Sequence, residues 1–270
     1  MQIMERIGLI AGNGNLPYFF YEAAKQKGYE VFPVGLFDSV NSNLKKAPNY
    51  VQMNIGELGK LMGYLIINKI DKIIMLGKVE KSLIFQDLRL DEVFKDLVNK
   101  LPDRKDETIL FGIMSVLQSS GIDILPQNYL MDSLLVKEGN YTTAEPKEED
   151  RSTIEIGIEA AKALGKIDVG QTVVAKNRAV VALEAIEGTD ETIKRAGVYA
   201  GKDTIVVKTS RPQQDMRVDV PAIGMKTFEE ALKIGAKGII IEAEKVLFLD
   251  KEEVIAKANE NGIFIVGVKI

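Results

Sequence analysis

Ile7-Gly-Leu-Ile-Ala-Gly-Asn-Gly-Asn-Leu-Pro17 decides the fold class. Its opening is a short apolar run, its middle a glycine turn, and its end the start of a helix. Asn15 stands where an N-cap belongs, and Pro17 suits the first helical turn. Leu16, Phe20, Ala23 and Ala24 give that helix an inward stripe, and Gly28 ends it. The pattern then repeats. Tyr29 to Phe37 reads as a second strand ending at Asp38, and Val51 to Ile55 as a short third. Leu58 to Asn68 follows as a helix with Leu61, Leu65 and Ile66 inward, then Lys72 to Val79 as a buried strand closing on Gly77-Lys78. Phe85 to Gly121 reads as helical, and Ile122 to Pro126 as a last strand. Alternating strands and helices imply a Rossmann-like parallel sheet, with ligands at the carboxyl ends of its strands.

Two positions of that half are therefore candidate ligand contacts. Gly12 and Gly14 hold the first two places of G-x-G-x-x-G, so the turn Gly12-Asn13-Gly14 is expected to turn amides toward a phosphate. Pro17 replaces the third glycine and spoils the close packing of a dinucleotide fold, so a tight turn without ligand stands as the plain alternative. Lys78 ends a buried strand; it is either a site residue or a solvated strand-end lysine. Asp106 and Glu107 open a helix, where acids suit the helix dipole without any further role.

With 270 residues the chain is long enough for two domains. The expected division is 1–136, a polar and aperiodic linker at 137–150, and 151–270 as a separate C-terminal α/β domain with a mixed sheet. Hydrophobic content of 46% is that of a soluble globular protein. Runs of about 18 uncharged apolar residues are missing, and the first residues lack signal-peptide form. Zero cysteines exclude disulfides and thiolate catalysis, and fit a reducing compartment. Zero histidines exclude the Ser-His-Asp triad and His-ligated zinc, leaving carboxylates, Lys, hydroxyls and a hard cation for any hydrolysis. A net charge of −4 argues against nucleic acid as a partner.

The C-terminal half opens on Ser152-Thr-Ile-Glu155, a capping-box pattern, with Ile154, Ile158, Ala161 and Leu164 on one helical face. Thr172 to Ala175 and Ala179 to Ile186 read as strands joined by a reversal at Lys176-Asn-Arg178. Glu184 and Glu187 precede a helix that Thr189 is expected to cap, its free amides pointing at an anion. Thr204 to Lys208 is a β-branched strand that delivers Lys208 to its end, where Pro212 breaks regular structure. Beyond it Asp215, Arg217 and Asp219 alternate with Met216, Val218 and Val220, which in an extended chain would put all three charges on one face. A solvated edge strand is one reading of that run; a rigid phosphate-and-metal site is the other. Thr227-Phe-Glu-Glu230 is a second capping-box pattern, and Asp250 and Gly262 bracket the final helix.

These residues resemble the LpxI-type UDP-2,3-diacylglucosamine pyrophosphatases of lipid A synthesis. The resemblance rests on Gly8 to Pro17, Gly77-Lys-Val79, Asp168-Val-Gly-Gln171, Glu184 to Asp190 and Gln214 to Gly224. It implies hydrolysis, with Mg²⁺ (or Mn²⁺), of UDP-2,3-diacylglucosamine to UMP and 2,3-diacylglucosamine 1-phosphate, the substrate lying between an N-terminal and a C-terminal domain. It also implies that Asp219 is the leading catalytic residue. One departure is that the family's Gly-Asp-Asp reads Lys105-Asp-Glu107 here, with the acids kept.

On this reading Asp219, with Glu187 or Asp190, would bind the cation, and Lys208 and Arg217 would balance phosphate charge. Thr189, Asp190, Gln213 and Gln214 join Gly12, Asn13, Gly14 and Lys78 as expected substrate contacts. A lipid-linked nucleotide sugar implies a cytoplasmic protein in transient contact with the inner membrane surface, and a homodimer is compatible with it. The competing classes are a nucleotide-binding oxidoreductase or sensor using the N-terminal turn, a hydrolase of another UDP-sugar, and a non-catalytic partner-binding protein.

Overall fold

The computed structural model describes residues 4–79, 90–103 and 105–270; the side chains of Asp106 and Glu107 lie outside it, as does residues 85–89 of the expected helical stretch. The chain divides into two compact units, Met1–Met131 and Asp132–Ile270. In the first, strands β1 (Arg6–Ala11), β2 (Glu30–Gly35), β3 (Val51–Gln52), β4 (Lys72–Leu76) and β5 (Asp123–Ile124) form a sheet in the order β3-β2-β1-β4-β5. Every pairing in it is parallel. That is the doubly wound arrangement, and it follows from the alternation of strand and helix.

Helices α1 (Leu16–Gln26), α2 (Leu58–Ile67), α3 (Glu92–Lys100) and α4 (Asp106–Ser119) complete the first unit. α1 buries Pro17, Phe20, Tyr21 and Ala24, so the inward stripe lies slightly around the helix from the expected one. Asn15 makes no capping bond; its Oδ1 accepts instead from Asn41 Nδ2 at 2.9 Å. In α2 Leu61 and Leu65 point inward as expected, whereas Ile66 is 60% exposed.

The second unit is built on a six-stranded mixed sheet. Its strands are β6 (Gly139–Asn140), β7 (Thr172–Lys176), β8 (Ala179–Leu183), β9 (Ile205–Lys208), β11 (Gly238–Glu242) and β13 (Phe264–Val268), in the order β6-β13-β11-β9-β7-β8. β9, β11 and β13 are parallel; β7 runs against both β9 and β8, and β6 against β13. A small parallel pair, β10 (Ala222–Ile223) with β12 (Leu247–Phe248), lies outside this sheet.

Helix α5 (Arg151–Lys166) covers one face over Val173, Ile205, Val207, Ile240 and Phe264. The other face, through Val174, Val206, Ile239 and Ile241, packs on α6 (Thr189–Ala200), α7 (Met225–Lys233) and α8 (Lys251–Glu260). Ile205, Val206 and Val207 thus alternate between two apolar layers. This explains why β9 reads as an unbroken β-branched run rather than as an alternating one.

Three sequence expectations change here. Residues 137–150 are not a free connection: β6 pairs with β13 and Asp150 is buried against Lys237. Ser152 does not cap α5, which begins one residue earlier, and Glu155 pairs with Arg151 at 3.2 Å. Likewise α7 starts at Met225 rather than after Thr227, whose hydroxyl is used elsewhere.

Candidate active site

The antiparallel entry of β7 assembles the buried polar cluster of the second unit. Because β7 opposes β9, its first residue, Thr172, sits beside the last residue of β9, Lys208. β8 returns to the same edge, so Glu184 arrives there too, its amide bonded to Thr172 O at 2.9 Å. Lys208 is 4% exposed and Glu184 7%. Lys208 Nζ donates to Thr189 Oγ1 at 2.6 Å and lies 3.8 Å from Glu184 Oε2. Thr189 donates to Glu184 Oε1 at 3.0 Å, its hydroxyl is 3.1 Å from that of Thr172, and the Gln171 amide donates to Glu184 Oε2 at 3.2 Å. A buried lysine and a buried glutamate are tolerated because each has a charged partner and hydrogen bonds.

Thr189 therefore does not cap α6. It is the first helical residue, after Gly188 at φ 81°, and its hydroxyl turns inward to the Lys208–Glu184 pair. The start of α6 is fixed by that pair.

After β9, Thr209 and Ser210 remain buried. Ser210 is held by Glu242 at the end of β11, whose Oε2 accepts from its amide at 2.7 Å and its hydroxyl at 2.9 Å. Arg211 then spans two carboxylates, Asp168 (Nη1 to Oδ1, 2.6 Å) and Asp219 (Nη2 to Oδ2, 2.5 Å). Gln214 Nε2 donates to the same Asp219 Oδ2 at 2.6 Å, and its Oε1 accepts from the Arg211 amide at 3.0 Å. Asp219 Oδ1 has no partner among the described residues, and the side chain is 44% exposed.

The segment around Asp219 is a turn, not the extended strand expected from its alternation. Val218 N and Asp219 N both donate to Asp215 O at 3.1 Å. The cause lies in Asp215, whose Oδ1 accepts from the Arg217 amide at 2.9 Å, while the Arg217 guanidinium closes on the same carboxylate at 2.7–3.2 Å. Such local side-chain bonds to the backbone compete with a sheet ladder and here win. The Arg217 hydrogen bond also holds the Asp215 carboxyl below its ordinary range. Arg217 is thus committed to Asp215, and the partner of Asp219 is Arg211.

Glu187 and Asp190, either of them expected to join Asp219 at a cation, are each engaged with a basic partner of their own. Glu187 accepts from Arg195 at 2.5 Å; bonds from its own amide and from Arg195 hold its carboxyl below the usual range. Asp190 pairs with Lys226 at 2.9 Å and accepts from Thr227 Oγ1 at 2.9 Å, tying α6 to the start of α7. Among the described residues no group of three or more acidic side chains is placed to hold a metal ion. Gln213 donates to Gly165 O at 3.2 Å, which fixes the loop to the end of α5.

In the first unit the glycine turn departs from expectation as well. Gly12 N donates to Leu76 O at 2.8 Å, and Asn13 and Lys78 exchange both backbone bonds at 2.8 Å. The amides of Gly12 and Asn13 are therefore spent on β4 and its extension, not turned toward a phosphate. A Cβ on Gly12 would sit 2.7 Å from Lys78 O, so the glycine is required by close approach. Gly14, at φ 99°, is open around its Cα, and the Lys78 side chain is exposed.

Sequence reasoning missed Arg211, Asp168, Glu184 and Glu242 as organising residues. Arg211 lies inside the run that drew attention, but its partners are 8 and 43 residues away. No local spacing encodes them. The side-chain atoms Gln171 Oε1, Thr209 Oγ1 and Arg211 Nε are buried without partners among the described residues, and their segments are joined by the Thr209 N to Gln171 O bond of 2.9 Å.

The family model described as LpxI N-terminal domain matches residues 6–134, and the one described as LpxI C-terminal domain matches residues 137–266. The chain belongs to the LpxI family. It is 29% identical over 277 residues to the UDP-2,3-diacylglucosamine pyrophosphatase LpxI of Caulobacter vibrioides, covering 98% of each chain. The Lys208–Glu184 cluster and the Arg211–Asp219 loop both lie inside the matched LpxI C-terminal domain, and the Asn13–Lys78 bridge inside the N-terminal one. Among the described residues no helix is long and apolar enough to cross a membrane.

Proposed function

We propose that the chain hydrolyses the pyrophosphate of UDP-2,3-diacylglucosamine to UMP and 2,3-diacylglucosamine 1-phosphate. The observation that carries this reading is the Asp219 carboxylate. One of its oxygens is saturated by Arg211 and Gln214 and the other is unengaged among the described residues, on a loop leaving the carboxyl end of β9. The similarity over 98% of the chain to a relative named UDP-2,3-diacylglucosamine pyrophosphatase supports this choice of substrate.

Pyrophosphate cleavage depends mainly on positioning and charge neutralisation. Mg²⁺, or Mn²⁺, characteristically takes one or two carboxylates and completes its shell with phosphate oxygens and water. Asp219 Oδ1 suits that contact; Glu187 and Asp190, committed to Arg195 and Lys226, do not. When bound, the ion would neutralise phosphate charge and acidify its water. Lys208 and Glu184 hold Thr189 at the head of α6, whose first amides are offered to a phosphoryl oxygen. Without histidine, the proton acceptor would be a carboxylate not already bound to the cation. Arg217 shapes the turn through Asp215. The substrate is a lipid, so the protein works from the cytoplasm in transient contact with the inner membrane surface.

The test is UMP release from UDP-2,3-diacylglucosamine with and without Mg²⁺, comparing the wild type with Asp219→Ala. Metal-dependent release that disappears in the variant is expected. Full turnover by a folded Asp219→Ala, or release from another UDP-sugar alone, would overturn the assignment.

A further inference from the structure

We propose that Arg211 is a positioning residue that selects which oxygen of Asp219 reacts, with Asp168 as its anchor and Gln214 as its second hand. This rests on the role given to Asp219 above. Both donors reach the same atom, Oδ2, from Arg211 Nη2 at 2.5 Å and from Gln214 Nε2 at 2.6 Å, and Oδ1 is left unengaged among the described residues. A carboxylate held at one oxygen only through a single bond can rotate and exchange its oxygens. Held there by two donors from two different side chains, it presents one oxygen in a fixed direction.

The clamp is itself braced. Arg211 Nη1 is fixed by Asp168 Oδ1 at 2.6 Å, and its amide is fixed by Gln214 Oε1 at 3.0 Å, so arginine and glutamine also hold each other. The chain on either side is anchored at Ser210 by Glu242 and at Gln213 by Gly165 O. Arg211 is only 25% exposed, its Nε is buried, and a Cβ at Gly165 would lie 3.5 Å from Arg211 Cα, so α5 packs directly against it. Asp168 holds a left-handed conformation at φ 58° where α5 ends, its amide bonded to Gly165 O at 3.1 Å and that of Val169 to Leu164 O at 3.3 Å, the usual stop of a helix. Lysine cannot replace such an arginine, since one ammonium cannot span two carboxylates in a planar fork.

The experiment has a kinetic and a substrate-free arm. Arg211→Ala and Arg211→Lys, both checked for cooperative unfolding, are expected to lose about 10²-fold in kcat with KM within a few-fold, the usual cost of a misplaced reacting group. Added guanidinium should restore part of the Arg211→Ala loss. Asp168→Asn and Gln214→Leu, which keep the arginine, should each lose less. Wild-type kcat in a folded Arg211→Ala, or a loss confined to KM, would overturn the proposal. If the Arg211 variants do not fold, unchanged kcat in both Asp168→Asn and Gln214→Leu would do the same. The second arm is arginine side-chain NMR of the full chain without substrate. Separate Nη signals for Arg211, merging in Asp219→Asn, are expected, and averaged signals in the wild type would overturn the clamp. A wild type that hydrolyses nothing yet shows the separate signals would strike the activity and leave the clamp standing.

Discussion

Lys208 and Glu184 show what the chain has staked on single residues. Removing one partner of a buried ion pair leaves the other charge uncompensated, which costs about 3–5 kcal/mol. Lys208→Met is therefore expected to lower the urea-unfolding free energy by that order, and Lys208→Met with Glu184→Gln by clearly less than the two single losses added. Additive losses would mean that the pair is not coupled. Asp215 gives a second expectation, with a definite sign. Its carboxyl is depressed in the folded chain, first by the Arg217 side-chain hydrogen bond, so its contribution is present above the ordinary carboxylate pKa and disappears as pH falls through the folded value. The melting temperature of Asp215→Asn should trail the wild type at pH 7, and the gap should close only as pH falls below the ordinary carboxylate range; a constant gap would contradict the linkage. Asp215 also marks where the sequence was misread. Alternation identifies a face only when the chain is extended, and an aspartate that bonds the amide two residues on removes that premise.

Whole elements were more legible than their ends. The five strands of the first sheet and the β7–β8 hairpin were readable because β-branched runs and punctuating glycines act locally. The turn joining β7 and β8 places Asn177 at φ 49° and Arg178 at φ 61°, the pair of left-handed residues that a two-residue hairpin needs. Helix starts were less legible, because a Ser/Thr with Glu three residues on also occurs within a first turn. Thr227 gives its hydroxyl to Asp190, and Asp250 reaches the Met225 amide at 3.4 Å rather than its own helix. Close approach between elements makes a further prediction. Gly77 combines φ 93° with a would-be Cβ 2.7 Å from Gly12 C, whereas Gly14 has φ 99° but open space. Gly77→Ala should destabilise by about 1–3 kcal/mol, strain plus overpacking, and Gly14→Ala by about 1 kcal/mol. Equal shifts in thermal melts would show that packing of the turn on β4 contributes nothing.

At the scale of the molecule, residues 137–150 were unreadable as structure because an edge strand of two exposed residues carries no periodic apolar signal. Their pairing with β13 ties them into the second unit, and two apolar clusters of that unit draw all their residues from 136–268. A fragment of residues 132–270 is therefore expected to fold alone and unfold cooperatively by circular dichroism, whereas one starting at 151 should lose that cooperativity. If 132–270 shows no transition, the unit is not autonomous. The β7–β8 hairpin has one more consequence. Its tip lies at the end of the sheet opposite Lys208 and Glu184, its first β8 residue, Ala179, is exposed, and the chain contains no cysteine. A thiol placed at Ala179 would be the molecule's sole thiol, by which it could be tethered to a bead or given a fluorophore while the working rim stays free.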